Sequence, residues 1–212
     1  ILLTLDYELF NGSVSGTVEN SLLIPTKELS VVLRKHKVNA TYFIDTCFLN
    51  RLKQLSDIHK EVKDDYERII DQLHYLVKQG DEIQLHIHPN WINAKYNGNY
   101  YIGDINYYKL SDIDDDKVNY LFKTGIKLIE QISGGGVYAF RAGAYCIQTL
   151  PNYSAYFAKY GIRIDSSVYR GHKETSKKRQ NFDYTKIPNK LCYRFNTNVC
   201  DNVENGQFVE LS

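Results

Sequence analysis

The stretch from Gly80 to Trp91, GDEIQLHIHPNW, limits the possible folds of this chain more than any other stretch. Six residues of mixed apolar character after the glycine predict a short buried strand with two histidines at its end. Side chains at positions i and i+2 of a strand point to the same side, so His86 and His88 can converge on one metal ion. Pro89 cannot donate to a sheet ladder and ends the strand there. The alternative, one histidine in the core and the other solvated, stays open at this point.

The rest of the chain alternates between strand and helix patterns. Buried strands are predicted over 1–6, 40–44, 137–141 and 162–166, with two more over 191–196 and 207–211. Helical spacing of apolar residues is found over 29–36, 48–55, 62–77 and 150–160. Ser111 is predicted to cap a further helix, which the glycines at 134–136 end. This alternation predicts a mainly parallel α/β sheet with helices outside it.

Charged or polar residues recur where the predicted strands end. They are Asp6 and Glu8, Asp45, the two histidines, Arg141 and Asp165. A barrel brings the ends of many strands around one axis, whereas an open doubly wound sheet gathers them at one crevice. The sequence therefore favours a distorted or incomplete (β/α) barrel. No GxGxxG or GxxxxGK[ST] motif follows the first strand, so a nucleotide-binding loop has no support.

Composition places further bounds on organisation and partners. A length of 212 residues with 43% hydrophobic content predicts a single domain over 1–212, and the FVELS ending predicts that further chain belongs to this domain. The net charge of +1 gives no field that would attract nucleic acid or an anionic membrane. No membrane span or leader is found in the sequence, which predicts a cytoplasmic protein. Four cysteines without CxxC spacing are expected to be reduced thiols.

Two polar stretches follow no periodic pattern. The tyrosine-rich segment 93–109 is predicted to be a long loop over the carboxyl ends of the strands. The segment 170–190 is basic, and its HKETSKKRQ portion at 172–180 is interpreted as a solvated loop. Contact between this portion and a phosphate or an acidic sugar remains an alternative.

Four motifs, in their order along the chain, resemble those of the polysaccharide deacetylases, the NodB-homology group of carbohydrate esterase family four. They are TLDYE at 4–8, EIQLHIHP at 82–89, FRAGAY at 140–145 and IDSS at 164–167. The resemblance covers nearly the whole chain. It implies a metal-dependent hydrolase that removes an acetyl group from an N- or O-acetylated sugar in the metabolism of a surface polysaccharide.

The resemblance also implies roles for single residues. Asp6 matches the catalytic base, and Arg141 matches the arginine that orients it. Glu8, His86 and His88 match the ligands of a divalent metal, most often zinc. The backbone N–H near Tyr145 corresponds to a group that helps hold the oxyanion.

The chemistry of the residues agrees with these roles. Two imidazoles and one carboxylate leave a coordination position open for water or substrate, as catalytic zinc sites do. Trp91 follows the histidine pair and is a candidate for stacking on a sugar ring, with core packing as the alternative.

The sequence departs from the family pattern in three places. The opening motif is Asp-x-Glu rather than two adjacent aspartates, and the histidine spacing is shorter than usual. The late histidine that serves as general acid is not found after Glu210, which leaves His172 as a replacement candidate. Two other functions therefore remain open: an amidohydrolase-type barrel hydrolase, and a non-catalytic sugar-binding deacetylase domain.

Overall fold

The computed structural model describes residues 2–10, 15–176 and 178–212. In chain order, its strands are β1 Thr4–Tyr7, β2 Thr41–Asp45, β3 Glu82–Ile87, β4 Lys95–Tyr96, β5 Tyr101–Ile102, β6 Ala139–Ala142, β7 Ile164–Asp165, β8 Lys173–Thr175, β9 Asn181–Asp183, β10 Cys192–Phe195 and β11 Phe208–Leu211. Its α-helices are α1 Ile24–Lys35, α2 Thr46–Leu55, α3 Lys60–Lys78, α4 Asp115–Ser133 and α5 Tyr153–Tyr160.

Seven strands form the central sheet in the order β1-β2-β3-β6-β7-β11-β10. All neighbouring pairs are parallel except β10 and β11. No hydrogen-bonded pairing joins β1 to β10 within the described residues, so the sheet does not close. The prediction of an α/β fold with an incomplete barrel is therefore confirmed.

The sheet is strongly curved, as one arginine shows. Arg141 on β6 donates to Asp6 and Thr4 on β1, although β2 and β3 lie between these strands in the sheet. Three strand spacings of a flat sheet amount to roughly 14 Å, which is longer than an arginine side chain can reach. The sheet must therefore curl until β1 and β6 approach each other across its concave inner face, as strands do in part of a barrel wall.

Local signals explain where several helices begin and end. The Asp45 side chain accepts hydrogen bonds from the first turn of α2, and Pro25 lies in the first turn of α1, where a missing N–H costs nothing. Gly134 ends α4 in the left-handed conformation. The predicted cap of α4 was wrong: Ser111 lies in a short 3-10 turn, and Asp114 caps the helix through the N–H of Lys117.

Helix α4 packs closely against the strand that carries the histidines. A Cβ added to Gly125 would lie 2.5 Å from the Thr46 hydroxyl and 2.8 Å from a methyl carbon of Leu85 on β3. Phe122 on the same helix packs 5.1 Å from the ring of Phe140 on β6. The backbone of β3 and β6 is thus held rigidly below the site at their carboxyl ends.

Both segments predicted to lack regular structure contain short hairpins. The tyrosine-rich segment contains β4 and β5, and Tyr101 packs edge-on against Phe48, 5.2 Å away. The segment 170–190 was predicted to be an unpatterned loop, but β8 and β9 pair within it. Each of these strands has only two or three residues, too few for a periodic pattern in the sequence. Among the described residues, no helix is both long and apolar enough to cross a membrane.

Candidate metal centre

The carboxyl ends of β1, β2, β3 and β6 meet at one edge of the sheet. In the register of these strands, Asp45 lies beside His86, and His86 lies beside Arg141. Glu8 follows β1 directly and turns toward the histidines. Its Oε2 lies 3.1 Å from Nε2 of His86 and 2.6 Å from Nε2 of His88. The structure therefore brings together the three residues that the sequence predicted as metal ligands.

Hydrogen bonds from outside the cluster orient both histidines. Nδ1 of His86 donates to the backbone carbonyl of Arg141 at 2.7 Å, which directs Nε2 toward Glu8. The backbone N–H of His88 donates to Asp45 Oδ1 at 3.3 Å. The same Asp45 oxygen caps α2, so the start of that helix and the end of β3 are fixed by one buried carboxylate.

The three side chains are electrostatically complementary. Burial disfavours the charge on Glu8, but His88 and His86 more than offset it and hold the pKa of this carboxyl well below its usual value. Burial also disfavours the charge on His86, yet the hydrogen bond and charge of Glu8 raise its pKa to about 9. The charge of Glu8 therefore favours the protonated form of the His86 imidazole when no metal is bound.

The donor atoms fit a divalent metal. One ligand atom from each of Glu8, His86 and His88 can be chosen so that all three lie within 4.8 Å of one another, and both histidines are buried. Ligands placed tetrahedrally around zinc at ~2.0–2.1 Å lie roughly 3.4 Å apart. The nitrogen–oxygen distances here are shorter, 3.1 and 2.6 Å, so the Glu8 carboxylate would have to shift outward to accommodate the ion.

Asp6 lies outside this cluster and is bound to Arg141. Nη1 of Arg141 donates to Asp6 Oδ1 at 2.6 Å. The guanidinium also donates to the hydroxyl of Thr4, at 2.8 Å, and to the carbonyl and hydroxyl of Ser166, both at 2.9 Å. It lies 4.2 Å above the ring of Phe43. With this many contacts, Arg141 holds the Asp6 carboxylate in one position beside the metal ligands.

The turn after β6 has an unusual backbone. Ala144 and Tyr145 both adopt left-handed conformations, with φ values of 56° and 62°. Residues other than glycine rarely adopt this backbone conformation, and backbone strain of this kind is found most often at functional sites. The hydroxyl of Tyr184 donates to the carbonyl of Tyr145 at 2.5 Å and helps to hold the turn. Gly143 packs so tightly that an added Cβ would lie 2.7 Å from Nδ1 of His88.

We compared the chain with known proteins. No family model and no curated protein matches its sequence. A solved structure of a candidate polysaccharide deacetylase from Mycobacterium smegmatis matches with a TM-score of 0.51 and 15% identity, over 89% of this chain and 45% of that protein. The chain has the fold of the polysaccharide deacetylases. The peptidoglycan N-acetylglucosamine deacetylase Bc1960 matches with a TM-score of 0.47 and 14% identity, over 77% of this chain and 55% of that protein.

The chain thus spans less than half the length of the Mycobacterium smegmatis protein with which it shares the deacetylase fold. At this level of identity, the likeness concerns the fold, and the chemistry must be argued from the residues.

Trp91 and His172, two other residues predicted from the sequence, lie in different surroundings. Trp91 is only 2% exposed and packs 5.2 Å from Phe48, so most of its indole belongs to the core, although it also borders a cavity. His172 is exposed and stacks 3.5 Å from Tyr169, which in turn lies 5.1 Å from the ring of Tyr145.

Sequence reasoning missed the residues that support the site. Thr4 had a signal, because it lies two residues before Asp6 on the same strand and so on the same side. Ser166 lay within the IDSS motif but was assigned no role. Gly143 lay within the FRAGAY motif but was also assigned no role, and Phe43 gave no signal, because its part in the site follows from how distant strands curl together.

Proposed function

We propose that this chain is a metal-dependent hydrolase that removes an acetyl group from an N- or O-acetylated sugar. The observation that carries this proposal is the pairing of two carboxylates with different partners. Glu8 contacts both histidines, whereas Asp6 contacts Arg141. One carboxylate is thereby suited to ligate a metal and the other to accept a proton.

The residues of the site have separate roles in this reaction. Glu8, His86 and His88 would hold the metal, which when bound lowers the pKa of a water ligand to about 7 and polarises the acetyl carbonyl. Asp6 accepts the proton of the attacking water, and Arg141 keeps its carboxylate aimed. The backbone N–H of Tyr145 donates to the oxygen on which negative charge develops.

Further details of the proposal rest on the donor set and the sequence. Zinc is the proposed metal because two imidazoles and a carboxylate are typical of catalytic zinc sites. An acetylated sugar in a precursor of a surface polysaccharide is the proposed substrate, on the basis of the motif resemblance. The balanced charge argues against nucleic acid as a partner, and the cytoplasm is the proposed location.

The test compares the two carboxylates. Asp6→Asn should leave metal content and folding intact while lowering acetate release by roughly a hundredfold to ten-thousandfold, the usual value of a positioned base. Glu8→Gln should lose metal affinity and activity together. The measurements are acetate release from acetylated sugars and metal content by elemental analysis.

Two results would change the proposal. Metal loss in Asp6→Asn together with metal retention in Glu8→Gln would reverse the two roles. A wild-type chain that binds metal but releases no acetate from any acetylated sugar would instead identify a non-catalytic sugar-binding domain. The amidohydrolase alternative predicts metal ligands after the first strand of the barrel, whereas both histidines here end β3.

A further inference from the structure

A cavity of about 500 Å³ lies beside the metal centre. Several of its lining residues follow the metal ligands directly in sequence: Phe10 lies two residues after Glu8, while Asn90 and Trp91 follow His88 closely. Tyr108 also lines the cavity, and the backbone N–H of Trp91 donates to the carbonyl of His88 at 3.2 Å. The cavity therefore opens at the side of the proposed reaction centre.

The walls of this cavity suit the ring of a sugar. Phe10, Ile102 and Ile105 line it and remain 63%, 53% and 74% exposed. Large apolar side chains clustered at a surface mark a binding region more often than isolated ones do. Aromatic and aliphatic walls pack against the C–H faces of a sugar, while amide and hydroxyl groups such as Asn90 and Tyr108 can bind its hydroxyls.

Arg179 is the charged residue among the described side chains that line this cavity. Its backbone N–H donates to the Ser176 hydroxyl at 3.2 Å. Its guanidinium makes no hydrogen bond or ion pair with the described residues. Some basic side chains of the chain have acidic partners, such as Lys173 with Asp183 and Arg34 with Asp81, whereas Arg179 lines a cavity without one among the described residues. The cavity therefore presents a cation whose donors are available to a ligand.

We propose that this cavity recognises an acetylated sugar that carries an anionic group, a carboxylate or a phosphate, and that Arg179 binds this group. A guanidinium pairs with both kinds of anion through two parallel N–H donors, so the chemistry is shared by both. The inference rests on the proposed function for the acetylated sugar. It adds that the substrate is acidic and that Arg179 provides the specificity for the anionic group.

Fluorescence of Trp91 provides a binding assay that does not depend on turnover. Trp91 is the only tryptophan of the chain and lines the cavity. The full chain is titrated with N-acetylglucosamine, N-acetylglucosamine 6-phosphate and N-acetylmuramic acid. At least one anionic probe should bind about tenfold more tightly than the neutral sugar, the value of one charge-assisted hydrogen bond. The probe that is preferred distinguishes phosphate from carboxylate.

Two substitutions in the same turn give a matched comparison. Arg179→Ala should abolish the preference for the anionic probe, and Arg179→Lys should keep part of it. Lys178→Ala removes a neighbouring charge that does not line the cavity and should retain the preference. Equal affinity for all three probes, no binding of any probe, or a preference that persists in Arg179→Ala would overturn the inference.

Acetate release separates this inference from the proposed function. If the wild-type chain prefers an anionic probe through Arg179 but releases acetate from none, then the deacetylase proposal fails and anion recognition stands. If acetate is released while neutral and anionic probes bind equally, the deacetylase proposal stands and this inference fails.

Discussion

A pair of buried carboxyl groups joins β7 to β11 and should make the stability of the fold depend on pH. Asp165 and Glu210 lie opposite each other in the parallel register, and both are 0% exposed. One oxygen of each is satisfied, by the Ser167 hydroxyl at 2.6 Å and by the Val168 N–H at 3.2 Å. The other two oxygens, Oδ2 and Oε2, are buried without a donor. A proton on Glu210 that donates to Asp165 satisfies both oxygens.

The folded state holds this proton more tightly than the unfolded chain does. Burial, with the negative charge of Asp165 beside it, raises the pKa of Glu210 well above 4.5. When folding raises the pKa of an acid, the free energy of unfolding of the protein decreases as pH rises from the pKa of the unfolded state toward that of the folded state. The slope is at most about 1.4 kcal/mol per pH unit for one proton.

Glu210→Gln removes this titration but keeps a donor for Asp165. As pH rises from 5 toward the folded pKa of Glu210, the free energy of unfolding of the variant should therefore increase relative to that of the wild type, by at most about 1.4 kcal/mol per pH unit. The measurement is urea unfolding at pH 5, 6, 7 and 8, followed by Trp91 fluorescence. Glu204→Gln changes an exposed residue and serves as the control, and its free energy of unfolding should depend on pH as that of the wild type does. A constant difference between Glu210→Gln and wild type across this range would refute the shared proton.

Three further predictions concern the metal centre. Gly143→Ala should weaken metal binding by about ten- to a hundredfold, because the new Cβ displaces the imidazole of His88; metal titration of the folded variant checks this. Ser166→Ala should lower kcat by roughly tenfold with metal content unchanged, because Arg141 loses one of its hydrogen bonds. Metal binding at pH 7 should release about one proton, because the pKa of His86 is about 9 in the metal-free site. The affinity for the metal should therefore rise about tenfold per pH unit as pH increases toward 9. Calorimetry in two buffers of different ionisation enthalpy measures this release, and an identical heat in both would contradict it.

The sequence predicted those parts of the fold whose signals are local or repeat along the chain. The strands that hold Asp6, His86 and Arg141 are apolar runs that end in polar residues, and the structure confirms all three. The His-x-His spacing predicted convergence of the two imidazoles because side chains alternate along a strand. Their contact with Glu8 confirms this geometry.

Other parts of the site could not be predicted because they depend on three-dimensional proximity. Arg179 belongs to a basic stretch that the sequence predicts to be a solvated loop. Its place at the cavity depends on the pairing of β8 with β9, which the sequence does not indicate. Glu210 ends the FVE segment of a late strand, and nothing in that segment shows that it faces Asp165. In both cases, the surroundings of the residue come from elements that are distant in sequence or too short to be predicted from it.

The distinction between the two carboxylates of the opening motif shows how the fold assigns chemistry. A regular strand would point Asp6 and Glu8 to the same side, and either could then reach the metal position. However, β1 ends at Tyr7, so Glu8 leaves the sheet and turns to His86 and His88. Asp6 stays within the strand, where curvature brings Arg141 to it across the inner face. The end of one short strand therefore gives the two carboxylates different partners, and under the proposed function this difference would separate the metal ligand from the base in an Asp-x-Glu motif.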